Sequence, residues 1–199
     1  MRALIAFFLG VLLATTVSLT ADDLPYRVED SRVIFDGYDI QIVNGNLLVG
    51  EGHVVSGTHN ILAGEGHVAI GDENALFGEN NESWTDYATL AGHGNRAFAP
   101  YSTVLGGFGN FTGRDADYGA VCGGFFNEVE GAFSSAHGGY QTFVSGDYAS
   151  THGGNHSKAS GILSTAVGGW FGKATGARSV AIGSFSNATR ADEVALSPP

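Results

Sequence analysis

Basic residues are scarce: 9 Lys and Arg stand against 20 Asp and Glu, giving a formal charge of −11. Nucleic-acid backbones are held by clustered Lys and Arg, so no nucleic-acid partner is expected. Cysteine occurs once, at Cys122, which excludes an intrachain disulfide and leaves stability to other forces. Charged residues make up only 15% of the chain, yet a hydrophobic content of 43% argues against wholesale disorder. One long apolar run, Ala3 to Val17, follows Arg2 and precedes Ala21-Asp22. It reads as a secretory signal over residues 1–21, with the mature chain secreted or at the cell surface. No later run is long enough to cross a bilayer, so no membrane span is expected in the mature chain.

Glycine is abundant instead, with 31 residues that lack the every-third spacing of collagen. Asn46-Leu47-Leu48-Val49-Gly50-Glu51-Gly52-His53-Val54 recurs 14 residues later as Asn60-Ile61-Leu62-Ala63-Gly64-Glu65-Gly66-His67-Val68. Asn74-Ala75-Leu76-Phe77-Gly78-Glu79 repeats the frame after another 14. Gly-Gly pairs then begin at 106, 123, 138, 153 and 168, followed by Gly183-Ser184, at intervals of 17 and then 15. Each pair follows a short β-prone stretch, and a second such stretch ends in Gly146, Gly161 or Gly176. One repeat therefore reads as strand, Gly turn, strand, Gly turn. No such unit buries a core alone, but stacked units cap one another. The expectation is an all-β parallel β-solenoid of 14–15-residue coils over 46–191, with cap strands in 22–45 and a tail at 192–199.

Alternation along the strands separates two sets of columns. Leu105, Cys122, His137, His152, Val167 and Ile182, with Thr103 to Val180 two residues earlier, are assigned to the inner face. The intervening column, Val104, Val121, Ala136, Thr151, Ala166 and Ala181, then faces outward. Both columns look partly covered, and self-association is the remedy for a thin roll that would otherwise expose one of them.

Ala174-Thr175-Gly176-Ala177-Arg178-Ser179-Val180-Ala181-Ile182-Gly183, continuing to Ser186-Asn187-Ala188-Thr189, resembles the head repeat of trimeric autotransporter adhesins, the YadA-like head. The resemblance runs over roughly 46–191 and is clearest from Tyr101 onward. It implies a left-handed parallel β-roll, a side-by-side homotrimer and an adhesive surface function. No heptad stalk or membrane-anchoring segment follows Ala191, so a free-standing head-like module is expected.

Candidate sites are few. His137 and His152 occupy equivalent places in adjacent coils, with Cys122 one coil before; at a subunit interface imidazoles and thiols could hold Zn, Ni or Cu. Core histidines bonded to carbonyls are the competing reading, since no orienting carboxylates stand nearby in sequence. His53 and His67 are read as exposed turn residues. Phe108, Phe125, Tyr140, Trp170 and Phe185, interrupted by Asn155, form an aromatic ladder that either packs between protomers or offers a platform to sugars or a partner protein. Sequons at Asn81, Asn110, Asn155 and Asn187 are candidate glycosylation sites. Paired carboxylates and nucleophile constellations are not evident, so neither an enzyme nor a cofactor is expected. The enzymatic alternative is a trimeric left-handed β-helix with interface histidines, but its hexapeptide period does not fit coils of 14 to 15 residues. Ice binding would favour a regular Thr ladder, and Thr103, Thr151 and Thr165 do not share one column. The partners expected are further copies of this chain and an extracellular glycan, matrix or surface protein.

Overall fold

A computed structural model describes residues 26–29, 32–35 and 38–198, with side chains from Ile40 onward; the signal segment lies outside the described residues. Among the described residues every regular element is a strand. Three strands, β1 (Tyr26–Glu29), β2 (Arg32–Phe35) and β3 (Tyr38–Val43), form an antiparallel meander that pairs onto β4 (Asn46–Glu51). From β4 onward the chain winds as a parallel β-solenoid. Each coil gives one strand to a 14-stranded sheet, which includes the meander, and one to a 10-stranded sheet. The meander thus covers the first edge of the larger sheet alone. Val54–Ser56 is the first strand of the smaller sheet.

Glycine sets the coil length. Leu76, Ser83 and Leu90 are successive inner residues at seven-residue intervals, giving a coil of 14. Val121, Val129 and Ala136 are separated by eight and seven, giving 15. The extra residue enters where Gly92 of one coil meets Gly106-Gly107 of the next, and the register shifts there between Ala91 and His93. The 17-residue interval adds two more at the turn through exposed Arg114-Asp115, whose neighbour Ala116 is buried and closes the gap.

The inner face is the reverse of the sequence-based assignment. Val104, Val121, Ala136, Thr151, Ala166 and Ala181 are fully buried, whereas Leu105 is 60% exposed and Cys122, His137, His152 and Ile182 also point outward. Thr103 and its column are half-buried on the outer surface. The reason is space. One side chain per strand projects into a narrow lumen, and facing pairs become smaller along the rod. Leu76 and Leu90 face Ser83 and Ala97, Val121 sits with Val129, and Ala166 and Ala181 with Ala174 and Ala188. Bulky side chains have no room inside. Burial of Ala yields little hydrophobic free energy, at ~25 cal/mol per Å², so the C-terminal coils lean on their backbone ladders.

Two polar ladders fill the corners of the lumen. At the turns entering the larger sheet, the Oδ1 atoms of Asn46, Asn60 and Asn74 accept the backbone N–H of Asn60, Asn74 and Ala88 at 2.8, 2.8 and 2.9 Å. At the opposite turns, Asn81, Asn95, Asn110 and Asn127 each accept the N–H of the next coil at 2.8 to 3.0 Å. Each Nδ2 also donates to the carbonyl four residues earlier, as Asn110 does to Gly106 at 3.0 Å. His53 and His67 belong to this second ladder and are not exposed turn residues. His67 is fully buried, its Nδ1 accepts from Asn81 N–H at 3.2 Å, and its Nε2 donates to Ala63 O at 3.1 Å. An imidazole protonated on Nε2 therefore makes the same two bonds as an asparagine. The two rings stack at 5.3 Å, and burial, with His53 adjacent, lowers the pKa of His67.

Candidate interaction surfaces

Four surfaces run along the rod. The outer face of the larger sheet carries two columns, one from Leu47 through Thr103 and Ser150 to Val194, the other from Val49 through Leu105 and His152 to Leu196. Neither column contains an Asp, Glu, Lys or Arg at any rung. Leu105, Ile182, Val194 and Leu196 are among its exposed apolar groups.

His137, His152 and Cys122 are consecutive members of the second column. The two imidazoles lie edge to face with ring centroids 4.7 Å apart, and Cys122 is a free, exposed thiol. Among the described residues no group of three or more His, Cys, Asp or Glu is arranged to hold a metal ion within one chain.

The smaller sheet carries charge where these two columns carry none, and two of its cations have local partners. Arg96 Nε lies 3.2 Å from Glu82 Oε2, and Lys158 Nζ sits 4.9 Å above the Phe143 ring. Glu128 is held above the usual carboxylate pKa by burial and by Glu130 beside it. Near the first coils, Gly50, Gly64, Gly78 and Gly92 floor an open groove rimmed by Glu51, Glu65, Glu79 and His93, with His93 Nδ1 3.3 Å from Glu79.

Both edges of the roll are aromatic. Phe108, Phe125, Tyr140, Asn155 and Trp170 form one in-register column joined by parallel bridges, its aromatic members 38% to 59% exposed and Asn155 half-buried. Phe185 is not its next member. The last coil returns to 14 residues, so Phe185 N–H bonds to Trp170 O and its ring stacks on Phe171 at 5.9 Å, in the adjacent column. The opposite edge was missed at the sequence level. Tyr87, Tyr101, Tyr118, Phe133 and Tyr148 stack in one file, with centroids 4.8 to 5.1 Å apart and planes within 8° of parallel. Their spacing of 14, 17, 15 and 15 follows that of the glycine turns, and this was the available signal. All five have φ between 54° and 58°, the left-handed region that disfavours aromatic residues. Since the rings cover one another's faces, a sugar can stack only at the ends of the file.

The sequons divide by burial. Asn81 and Asn110 are corner-ladder members with no exposed surface, and a glycan on either Nδ2 would replace an internal donor. They cannot carry glycans in this fold. Asn155 is half-buried and Asn187 exposed, so only these two are open to modification.

No protein-family profile matches the chain, and a search of curated proteins found no match either. The repeat geometry and these surfaces are what bear on its role.

Proposed function

We propose that this chain is a secreted or surface-associated structural module, non-catalytic, that assembles with further copies of itself and presents its aromatic edges and smaller sheet outward as an adhesive surface. One observation carries the reading: a molecule of net charge −11 keeps the two outward columns of its larger sheet, Leu47 to Val194 and Val49 to Leu196, free of Asp, Glu, Lys and Arg on every coil. Copies that repel through their other surfaces can meet there without burying an unpaired carboxylate or ammonium. The face also has the required size. Ten rung spacings of ~4.8 Å and about five residues of strand at ~3.3 Å each give roughly 800 Å², the area a stable interface buries per partner. Its regular rung spacing lets a second copy dock in register along the rod.

The resemblance to the head of trimeric autotransporter adhesins supports three copies and a left-handed roll. Sedimentation equilibrium of residues 22–199 tests the reading. A trimer is expected, with Leu105→Lys and Ile182→Lys giving a folded monomer. A wild-type monomer at micromolar concentration overturns it.

A further inference from the structure

We propose that His137 and His152 form part of a divalent transition-metal site, of the Zn²⁺ type, completed by imidazoles from neighbouring copies of the chain. The proposal rests on self-association through the larger sheet.

The chain uses histidine in two ways. His53 and His67 sit in the lumen corner with both ring nitrogens engaged, Nδ1 accepting a backbone N–H and Nε2 donating to a carbonyl, as an asparagine would. His137 and His152 lie on the outer face, and among the described residues no hydrogen bond or ion pair engages either ring; their one contact is with each other. Four ring nitrogens are therefore available in each copy.

Their surroundings leave them upright and accessible. The flanking outward positions are Ser135 and Ser150, and the residues that follow are Gly138 and Gly153. A Cβ on either glycine would meet nothing within 4 Å, so no side chain shields the imidazoles. With Cys122 one rung earlier, these three rungs hold every metal-ligating side chain of the two outward columns. Burying unpaired imidazoles between apolar surfaces costs free energy unless their nitrogens find partners, and a shared metal ion supplies one. Rings 4.7 Å apart need only a side-chain rotation to bring one nitrogen from each within the ~2.0–2.1 Å bonds of tetrahedral Zn²⁺. One chain supplies two such ligands, and the open positions face the neighbouring copy.

The test uses the full mature chain. Zn²⁺ is titrated by calorimetry while mass is followed by sedimentation velocity, in wild type and in the double variant His137→Ala/His152→Ala. Both residues are exposed, and circular dichroism checks the variant's fold. Zn²⁺ is expected to tighten assembly by about tenfold or more, reversibly on adding a chelator, and the double variant is expected to lose that response. Co²⁺ in place of Zn²⁺ should give a tetrahedral absorption band that disappears in the double variant. Equal Zn²⁺ responses from the two proteins, or binding with no change in mass, overturn the proposal. Assembly of the wild type with no Zn²⁺ binding overturns the metal site and leaves self-association standing. A wild type that is monomeric with and without Zn²⁺ ends both.

Discussion

Replacing Asn110 with Ala tests whether the corner ladders hold the coils together. Asn110 Nδ2 donates to Gly106 O at 3.0 Å and Gly124 O at 3.1 Å, while Oδ1 accepts from Asn127 N–H at 3.0 Å and Asn127 Nδ2 at 3.1 Å. Not all of these groups are left stranded. Gly124 O keeps the Phe108 N–H, and Asn127 Nδ2 keeps the carbonyls of Gly123 and Gly139. The lasting loss is a buried Asn127 N–H without an acceptor, costing about 1–3 kcal/mol, plus one or two net hydrogen bonds at about 1 kcal/mol each. The sum is about 2–5 kcal/mol, a large share of the ~5–15 kcal/mol that stabilises a typical domain. Urea unfolding followed by far-UV circular dichroism should show the midpoint falling by about 1–2.5 M, for a slope of ~2 kcal/mol per M. Asn187→Ala, at an exposed sequon, should stay within about 0.5 kcal/mol of wild type. Asn110→His should retain most of the stability at pH 7.5, because His67 makes the equivalent bonds three coils earlier in the same ladder. An Asn110→Ala midpoint indistinguishable from that of Asn187→Ala would refute the ladder argument.

Two further outcomes follow from the same geometry. Gly64→Ala forces a Cβ into the carbonyl oxygen of Gly78 at a φ of +131°, whereas Gly138→Ala at +77° meets open space. The first should cost ~3 kcal/mol or more and the second only the ~1–2 kcal/mol of backbone strain, both read by thermal melts. His67 has its pKa lowered by burial first, so the folded state resists its protonation. Its contribution to stability is complete above the ordinary histidine value of ~6.5 and is lost as the pH falls through that value toward the folded pKa. Melting temperatures measured from pH 8 to pH 5 should therefore decline, and His67→Asn should flatten the decline.

The coil was legible in the sequence because glycine spacing records turn spacing directly. Two-residue alternation likewise separated the columns correctly, but it does not say which set faces inward. Assigning Leu105 and Ile182 to the interior followed the usual preference of large apolar groups for burial, and the lumen is too narrow for that preference to operate. The asparagines were hidden for a related reason. Asn81 and Asn110 look like turn residues or glycan acceptors, and only the stacked register shows that their side chains point inward. The Tyr87 to Tyr148 file escaped notice because its members occupy left-handed corners, where glycine or asparagine is the ordinary choice. Ring stacking, at about 0.5–1.5 kcal/mol per pair, offsets strain of similar size at each corner.

The 17-residue interval has a practical meaning beyond register. Added chain leaves the rod at exposed Arg114-Asp115 while Thr112 and Val121 on either side remain fully buried in their columns. Length is therefore a property of the turn, and the inner columns do not sense it. A tag, epitope or small domain spliced between Arg114 and Asp115 would hang from the flank of an otherwise unaltered rod. The same tolerance would let descendants of one such chain acquire different outlines on a shared scaffold by lengthening turns alone.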